Sequence, residues 1–230
     1  MFMDMGMLYI IVNPEDIKWH KGIIANPNCS TIQAMLPLKV LLDNYGIKRI
    51  VYSTYQAVSG AGIQGISDLQ NGYKGEEPKK FPYPIVGNCL PHIDVFLENG
   101  YTKEEIKMIE ETKKILHNNN LKITATAVRV PVLNSHSESI NIELEKPFEL
   151  EDIFNLFNNT KGITLYDDVT NIKYPTPLQV SGNDNVFLGR VRRDYSLENG
   201  LNLWVVADNI RKGAALNAVQ IAELLIRSDN

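Results

Sequence analysis

At 230 residues, 44% apolar and 22% charged, the chain is long enough to bury a substantial core as one large domain or two small ones. A net charge of −4 and the lack of any basic cluster argue against a nucleic-acid binder. Its two cysteines, Cys29 and Cys89, supply neither a disulfide framework nor metal-ligand spacing, which points to a reduced, cytoplasmic setting and no metal site.

In chain order, Met1 to Val12 is apolar and Met-rich, but it lacks a basic n-region and a cleavage site and is too short to span a bilayer. No other run is long enough to span, so no membrane is expected. The segment reads as the tail of something absent or as a non-native start. Gly22 to Ala25 is a short apolar strand leading into a Pro-containing turn. Ser30 to Tyr45 has helical spacing, with Ile32, Met35, Leu36, Val40 and Leu41 on one face, Pro37 as an expected kink and Gly46 as the stop. Lys48 to Tyr55 reads as a buried strand, followed by four small residues, Ser59 to Gly62, that let a backbone approach a ligand closely.

Asn71 to Pro91 reads as a long surface loop. Thr102 to His117 is the clearest helix, opened by a Thr102/Glu105 capping box. Strands are expected over Leu121 to Val132 and Ser139 to Glu145, a short helix over Glu149 to Asn158, and a hairpin over Val186 to Tyr195 and Gly200 to Ala207. A closing helix carries Ala215, Ala218, Val219, Ala222, Leu225 and Ile226 on one face. Mixed strands with interspersed helices imply an α+β fold on a mixed, largely antiparallel sheet.

Cys29 is the leading chemical candidate. It follows a turn and opens a helix, where unpaired backbone N–H groups favour thiolate, the nucleophilic form. The competing reading is a packed apolar cysteine, the reading given to Cys89. Of four histidines, His20 and His117 read as surface residues and His92 as packed. His136 lies between two strands, where clefts are commonly lined. Arg129 shares a strand face with Ile123, Ala125 and Ala127. A charge there is costly unless paired, so it is either a carboxylate clamp or an edge-strand arginine reaching solvent.

Four motifs together resemble the aspartate-β-semialdehyde dehydrogenase family, in order from Val12 onward. They are Asn26-Pro27-Asn28-Cys29-Ser30-Thr31, Tyr55-Gln56-Ala57-Val58-Ser59-Gly60-Ala61-Gly62, Arg129-Val130-Pro131-Val132 with Ser135-His136-Ser137-Glu138, and Asp208-Asn209 through Glu223. The resemblance implies NADPH-dependent reductive dephosphorylation of β-aspartyl phosphate through a cysteine thioester, in lysine, methionine and threonine biosynthesis. It implies helices on one face of the sheet, as in the C-terminal domain of glyceraldehyde-3-phosphate dehydrogenase, and a homodimer. By the same resemblance Cys29 is the nucleophile, His136 the acid/base residue and Gln56 the residue that positions the substrate. Arg129 is the carboxylate clamp. Glu105 and Lys107 contact the amino group and phosphate, and Asn28 lies on the phosphate side. Ser59, Gly60 and Asn209 contact the cofactor, NADP.

Glu105 and Lys107 are two apart on a helix and point roughly 200° from one another, which fits one pocket only near a helix end. No Gly-rich strand-to-helix turn precedes Cys29, so the expected division is a remnant of a nucleotide-binding domain over residues 1–25, a catalytic and dimerisation domain over 26–208, and a helix over 209–230 that would pack on the absent domain. The expected behaviour is little activity from the chain alone. An N-acetyl-γ-glutamyl-phosphate reductase-like enzyme and a non-catalytic dimerisation partner are the alternatives.

Overall fold

The computed structural model describes residues 6–7, 12–19 and 21–228. The expected reading of Met1 to Val12 and that of His20 lie largely outside them. A two-stranded parallel pair, β1 (Gly6–Met7) and β2 (Ile24–Ala25), flanks a 3-10 turn over Pro14–Trp19. The rest is one layered α+β unit.

Helix α1 (Cys29–Tyr45) lies at its centre, with Ser30 to Leu38 buried without a break. The Asn28 side chain caps it, accepting from the Ser30 and Thr31 amides at 2.9 and 3.4 Å. Gly46 ends it at φ 70, and a side chain there would meet the Glu145 carboxylate. The helix is continuous through Pro37.

β3 (Ile47–Gln56) follows, then a 3-10 turn over Val58–Ala61 and α2 (Gly62–Gly72). The four small residues expected to let a backbone approach closely form that turn and open this unforeseen helix. Gly65 packs so tightly on the turn that a Cβ there would lie 2.5 Å from the Val58 carbonyl oxygen. The expected surface loop beyond it is tied down as well. Ile85 and Leu90 are buried, and Leu90 exchanges two backbone hydrogen bonds with Arg129. Cys89 is exposed, not packed, because Leu90 takes the inward position.

α3 (Lys103–Ile115) starts at the expected capping box. β4 (Lys122–Arg129), β5 (His136–Leu144), α4 (Leu150–Asn158), β6 (Ile163–Leu165), α5 (Pro177–Val180), β7 (Val186–Asp194), β8 (Gly200–Ala207) and α6 (Leu216–Ser228) complete the chain. The six-stranded sheet has the order β4-β3-β5-β8-β7-β6, with β3–β4 and β6–β7 parallel and the three central pairings antiparallel. The expected mixed, largely antiparallel sheet is present.

α1, α3 and α4 cover one face. Tyr52, Ile140, Ile142, Leu201, Leu203 and Val205 point into the core they share. The opposite face carries Tyr55 and Trp204, whose rings pack 5.6 Å apart and remain partly exposed.

α6 buries Asn217 and Ile221, the latter against Ile17. The expected apolar stripe of Ala215, Ala218, Val219, Ala222 and Ile226 faces outward, with Leu225 half-buried. Among the described residues no helix is long and apolar enough to cross a membrane.

Candidate active site

Topology gathers the site at one end of the sheet. β3 and β4 are parallel, so Gln56 and Arg129 are register partners at their C-terminal ends. β5 runs the other way and begins there with His136, which pairs with Ala207 at the end of β8. α1 starts over the same edge with Cys29.

The Cys29 Sγ lies 3.2 Å from His136 Nε2. His136 is fully buried, and its Nδ1 accepts from the Ala57 amide at 3.0 Å. Arg129 is 6% exposed although β4 is an edge strand, which rules out the reading of a side chain reaching solvent. Its Nη1 donates to the Ala57 carbonyl at 2.7 Å. No carboxylate among the described residues forms a salt bridge with Arg129. Gly60 closes the group. A Cβ there would stand 2.9 Å from Arg129 Nη1 and 3.2 Å from the His136 ring, so only glycine leaves that space open.

On the other side of the sulfur, the buried Gln56 donates to Glu104 Oε1 at 3.0 Å, and the Asn28 side-chain amide donates to the same oxygen at 2.8 Å. Lys107 stands at the rim, 3.7 Å from Glu104 and 3.1 Å from Asp94. Glu104, absent from the sequence-predicted set, is the carboxylate that faces the site. Glu105 is turned away. Its two oxygens accept from the Thr102 amide at 2.7 Å and the Ala127 amide at 2.9 Å, tying α3 to β4. The reason is helical spacing: residues 104 and 107 are three apart and share a face, whereas 105 lies about 100° round. That spacing was the available signal for Glu104.

Glu105→Ala is therefore expected to act on stability. Orphaning two buried amides costs about 2–4 kcal/mol, a fall in Tm of roughly 5–15 °C by calorimetry.

Ser59 and Asn209, 150 residues apart, meet through a hydrogen bond of 3.1 Å, and Asn209 also accepts from the Ser135 amide at 2.9 Å. Asp208 orders the loop beside them, accepting from the Gly182, Ile210 and Arg211 amides. A further unforeseen contact is Gly213, in a π-helical turn over Arg211–Ala215, where a Cβ would lie 2.9 Å from the Cys29 Cβ. His92, half-buried, stacks at 4.3 Å on the exposed Phe96, a surface contact and not the packed position expected of it, while His117 bonds Asp16 at the surface as expected.

The resting thiol differs from the expectation that the helix start favours thiolate. Dense surroundings, and then the Glu104 charge, push Cys29 up to about 12; Arg129 and the Ser30 amide only partly offset them. Burial, then Arg129, holds the His136 imidazole well below its ordinary range. Burial pushes the Glu138 carboxyl, on the same face of β5, well above the carboxylate range.

At neutral pH, thiolate is then about a thousandfold scarcer than at the thiol's ordinary value of 9.0. Alkylation of Cys29 by iodoacetamide, followed by peptide mass spectrometry to separate it from Cys89, is expected to rise about tenfold per pH unit through pH 9. A plateau at low pH would contradict it. Glu104→Gln, which removes the nearest negative charge, is expected to speed the reaction.

Residues 38–212 match the family model described as the dimerisation domain of semialdehyde dehydrogenases. The chain is 55% identical to an aspartate-semialdehyde dehydrogenase of Aquifex aeolicus, over 97% of this chain and 68% of that protein. It is 50% identical to one of Legionella pneumophila, over 90% and 62%. The chain thus spans roughly two thirds of these relatives' length. Among solved structures, aspartate semialdehyde dehydrogenase II of Vibrio cholerae in complex with ASA superposes with a TM-score of 0.94 at 46% identity, over 98% of this chain and 69% of that one. The enzyme of Candida albicans with NADP superposes at 0.73 with 26% identity, over 96% and 66%. The family match covers more than half of the chain, and the identities to full-length relatives are well above the level that fold alone would give. By sequence and by fold, the chain belongs to the aspartate-semialdehyde dehydrogenase family.

Proposed function

We propose that this chain carries the covalent half of aspartate-semialdehyde dehydrogenase chemistry, with Cys29 as the residue acylated by the substrate. The observation that carries this reading is the Cys29 sulfur 3.2 Å from His136 Nε2, beside a buried Arg129 that forms no salt bridge among the described residues. In the biosynthetic direction the Cys29 thiolate attacks the acyl carbon of β-aspartyl phosphate, the C–O bond to phosphate breaks, and an aspartyl thioester forms on the sulfur. Arg129 offers its guanidinium to the substrate α-carboxylate as a planar fork. Glu104, in place of the expected Glu105, receives the substrate ammonium, with Gln56 and Asn28 fixing its carboxylate. That ammonium also offsets the Glu104 charge, which adds to burial in holding Cys29 protonated, so the arrival of substrate favours the thiolate. Lys107 and Asn28 stand on the side from which phosphate leaves.

NADP would be held at its reacting end by Ser59, Gly60 and Asn209. The space that a Cβ on Gly60 would fill, between Arg129 and His136, fits a close approach there. Bound there, the cofactor supplies the hydride that takes the thioester to the aldehyde. The half-exposed sheet face bearing Tyr55 and Trp204 is the surface on which a homodimer would form, and sedimentation of the purified chain tests that. Residues 26–208 act as the catalytic unit in this reading.

The decisive experiment exposes the chain to β-aspartyl phosphate alone and follows phosphate release together with the intact mass of the protein. The reading expects a single aspartyl adduct on Cys29, released by hydroxylamine. Phosphate release no faster than in buffer, with Cys29 unmodified, would refute it.

A further inference from the structure

We infer that Glu111 is a positioning residue: it holds the start of α1 against α3 and so sets Glu104 beside Cys29 for a substrate that carries an ammonium group. This rests on the proposed role of Glu104 as the carboxylate that receives the substrate ammonium. It assigns a function to a residue outside the predicted site set.

The first turn of a helix leaves amides without intrahelical partners, and a capping box satisfies the cap residue's own amide with a carboxylate three residues on. α3 does this internally, the Thr102 amide donating to Glu105 at 2.7 Å. α1 cannot, because the residue three beyond its Asn28 cap is Thr31. The carboxylate comes instead from the neighbouring helix. Glu111 Oε2 accepts from the Asn28 amide at 2.8 Å, across 83 positions of sequence.

Asn28 is thereby tied to α3 twice. Its backbone amide meets Glu111, and its side-chain Nδ2 donates to Glu104 Oε1 at 2.8 Å. Glu104, Lys107 and Glu111 are spaced three and four apart, so they share one face of the helix. The Asn28 Oδ1 accepts from the Ser30 amide at 2.9 Å, which fixes the turn on which Cys29 sits. A short path of hydrogen bonds therefore relates the nucleophile to Glu104, and Glu111 secures its backbone end. Gln56 and Asn28 converge on Glu104 Oε1, which leaves Oε2 toward Lys107 at 3.7 Å. That is the oxygen an ammonium would meet.

α3 is a fixed reference for this hold. Thr112, adjacent to Glu111, bonds the buried Tyr52 of β3 at 3.0 Å, and Glu105 ties the first turn to the Ala127 amide of β4. Burial pushes the Glu111 carboxyl above its ordinary range and the Glu104 charge adds to this; the Asn28 amide and Lys107 only partly offset them. Even a neutral carboxyl keeps a carbonyl oxygen that accepts from Asn28. Glu111→Gln therefore preserves the hold, Glu111→Ala loses it, and Glu111→Asp falls short by one methylene.

The test uses the full chain and the alkylation of Cys29 by iodoacetamide, slowed by a bound ligand. L-Aspartate carries the ammonium, and succinate is the same dicarboxylate without it. In the parent, L-aspartate is expected to protect Cys29 at a lower concentration than succinate does. Glu111→Ala and Glu111→Asp are expected to shrink that ratio of half-protecting concentrations about tenfold, the scale of a hydrogen bond to a charged group, while Glu111→Gln keeps it within about threefold. Each ratio is taken within one protein, so changes in the thiol's own reactivity cancel. Thermal unfolding reports stability separately. If the alanine variant does not fold, the aspartate variant, which keeps the charge and most of the volume, decides.

A ratio unchanged in Glu111→Asp and Glu111→Ala, or lost equally in Glu111→Gln, overturns the inference. So does a parent with no preference for the ammonium. These readouts do not use turnover. Failure of β-aspartyl phosphate to acylate Cys29 would strike the proposed function while leaving the Glu111 assignment standing.

Discussion

Cys29→Ser is expected to lower the rate of phosphate release from β-aspartyl phosphate by at least about 10⁴-fold, the scale of loss when a nucleophile is removed from an assembled site. The substitution is nearly isosteric and the side chain is partly exposed, so stability should change by less than about 1 kcal/mol. Folding and catalysis are therefore separable: circular dichroism and thermal unfolding should match the parent while the adduct disappears from the mass spectrum. The serine hydroxyl occupies the same place beside His136, but it ionises far less readily than a thiol. Cys29→Ala should be as inactive as the serine variant. Residual acylation at more than a few per cent of the parent rate in either variant would place the nucleophile elsewhere.

Arg129→Ala is expected to cost kcat/KM about 30- to 1000-fold, equivalent to about 2–4 kcal/mol for truncating one member of a buried charge pair. Two effects combine. The substrate carboxylate loses its fork of donors, and Cys29 loses the charge that most favours its thiolate. An aldehyde without the α-carboxylate separates them, since only the second effect remains with that substrate. Arg129→Lys should recover little, because a single ammonium cannot reproduce planar two-point contact or bridge to the Ala57 carbonyl from the same position. Steady-state kinetics of both variants with both substrates is the measurement. Equal losses with the two aldehydes would remove the carboxylate role from Arg129.

Much of the local structure is written in the sequence. The Asn28 cap of α1, the Thr102/Glu105 box that opens α3, the Gly46 stop and the hairpin of β7 and β8 all depend on residues within a few positions of one another. These are short-range rules, and the structure follows them. α2 escaped for the opposite reason: its Gly-rich start has weak helix propensity, and packing on the Val58–Ala61 turn supplies what propensity does not. Cys89 was misread because a one-residue difference decides which of Cys89 and Leu90 faces the core.

The site shows the same division. Sequence motifs alone determined the family and named Cys29, Gln56, Arg129 and His136, because each sits in a distinctive local run. Only the tertiary structure decided how those residues are charged and which neighbours they have. The resistance of the Cys29 thiol to ionisation comes from burial and from Glu104, 75 positions away; the His136 ring is held by the Ala57 amide, 79 positions away; and the choice of Glu104 over Glu105 follows from which side of α3 meets β3 and which meets β4. Local pattern can dictate helix, strand and cap because those are bonds between near neighbours. Ionisation and hydrogen-bond partnership depend on desolvation and on charges that arrive only when the sheet brings its strand ends together.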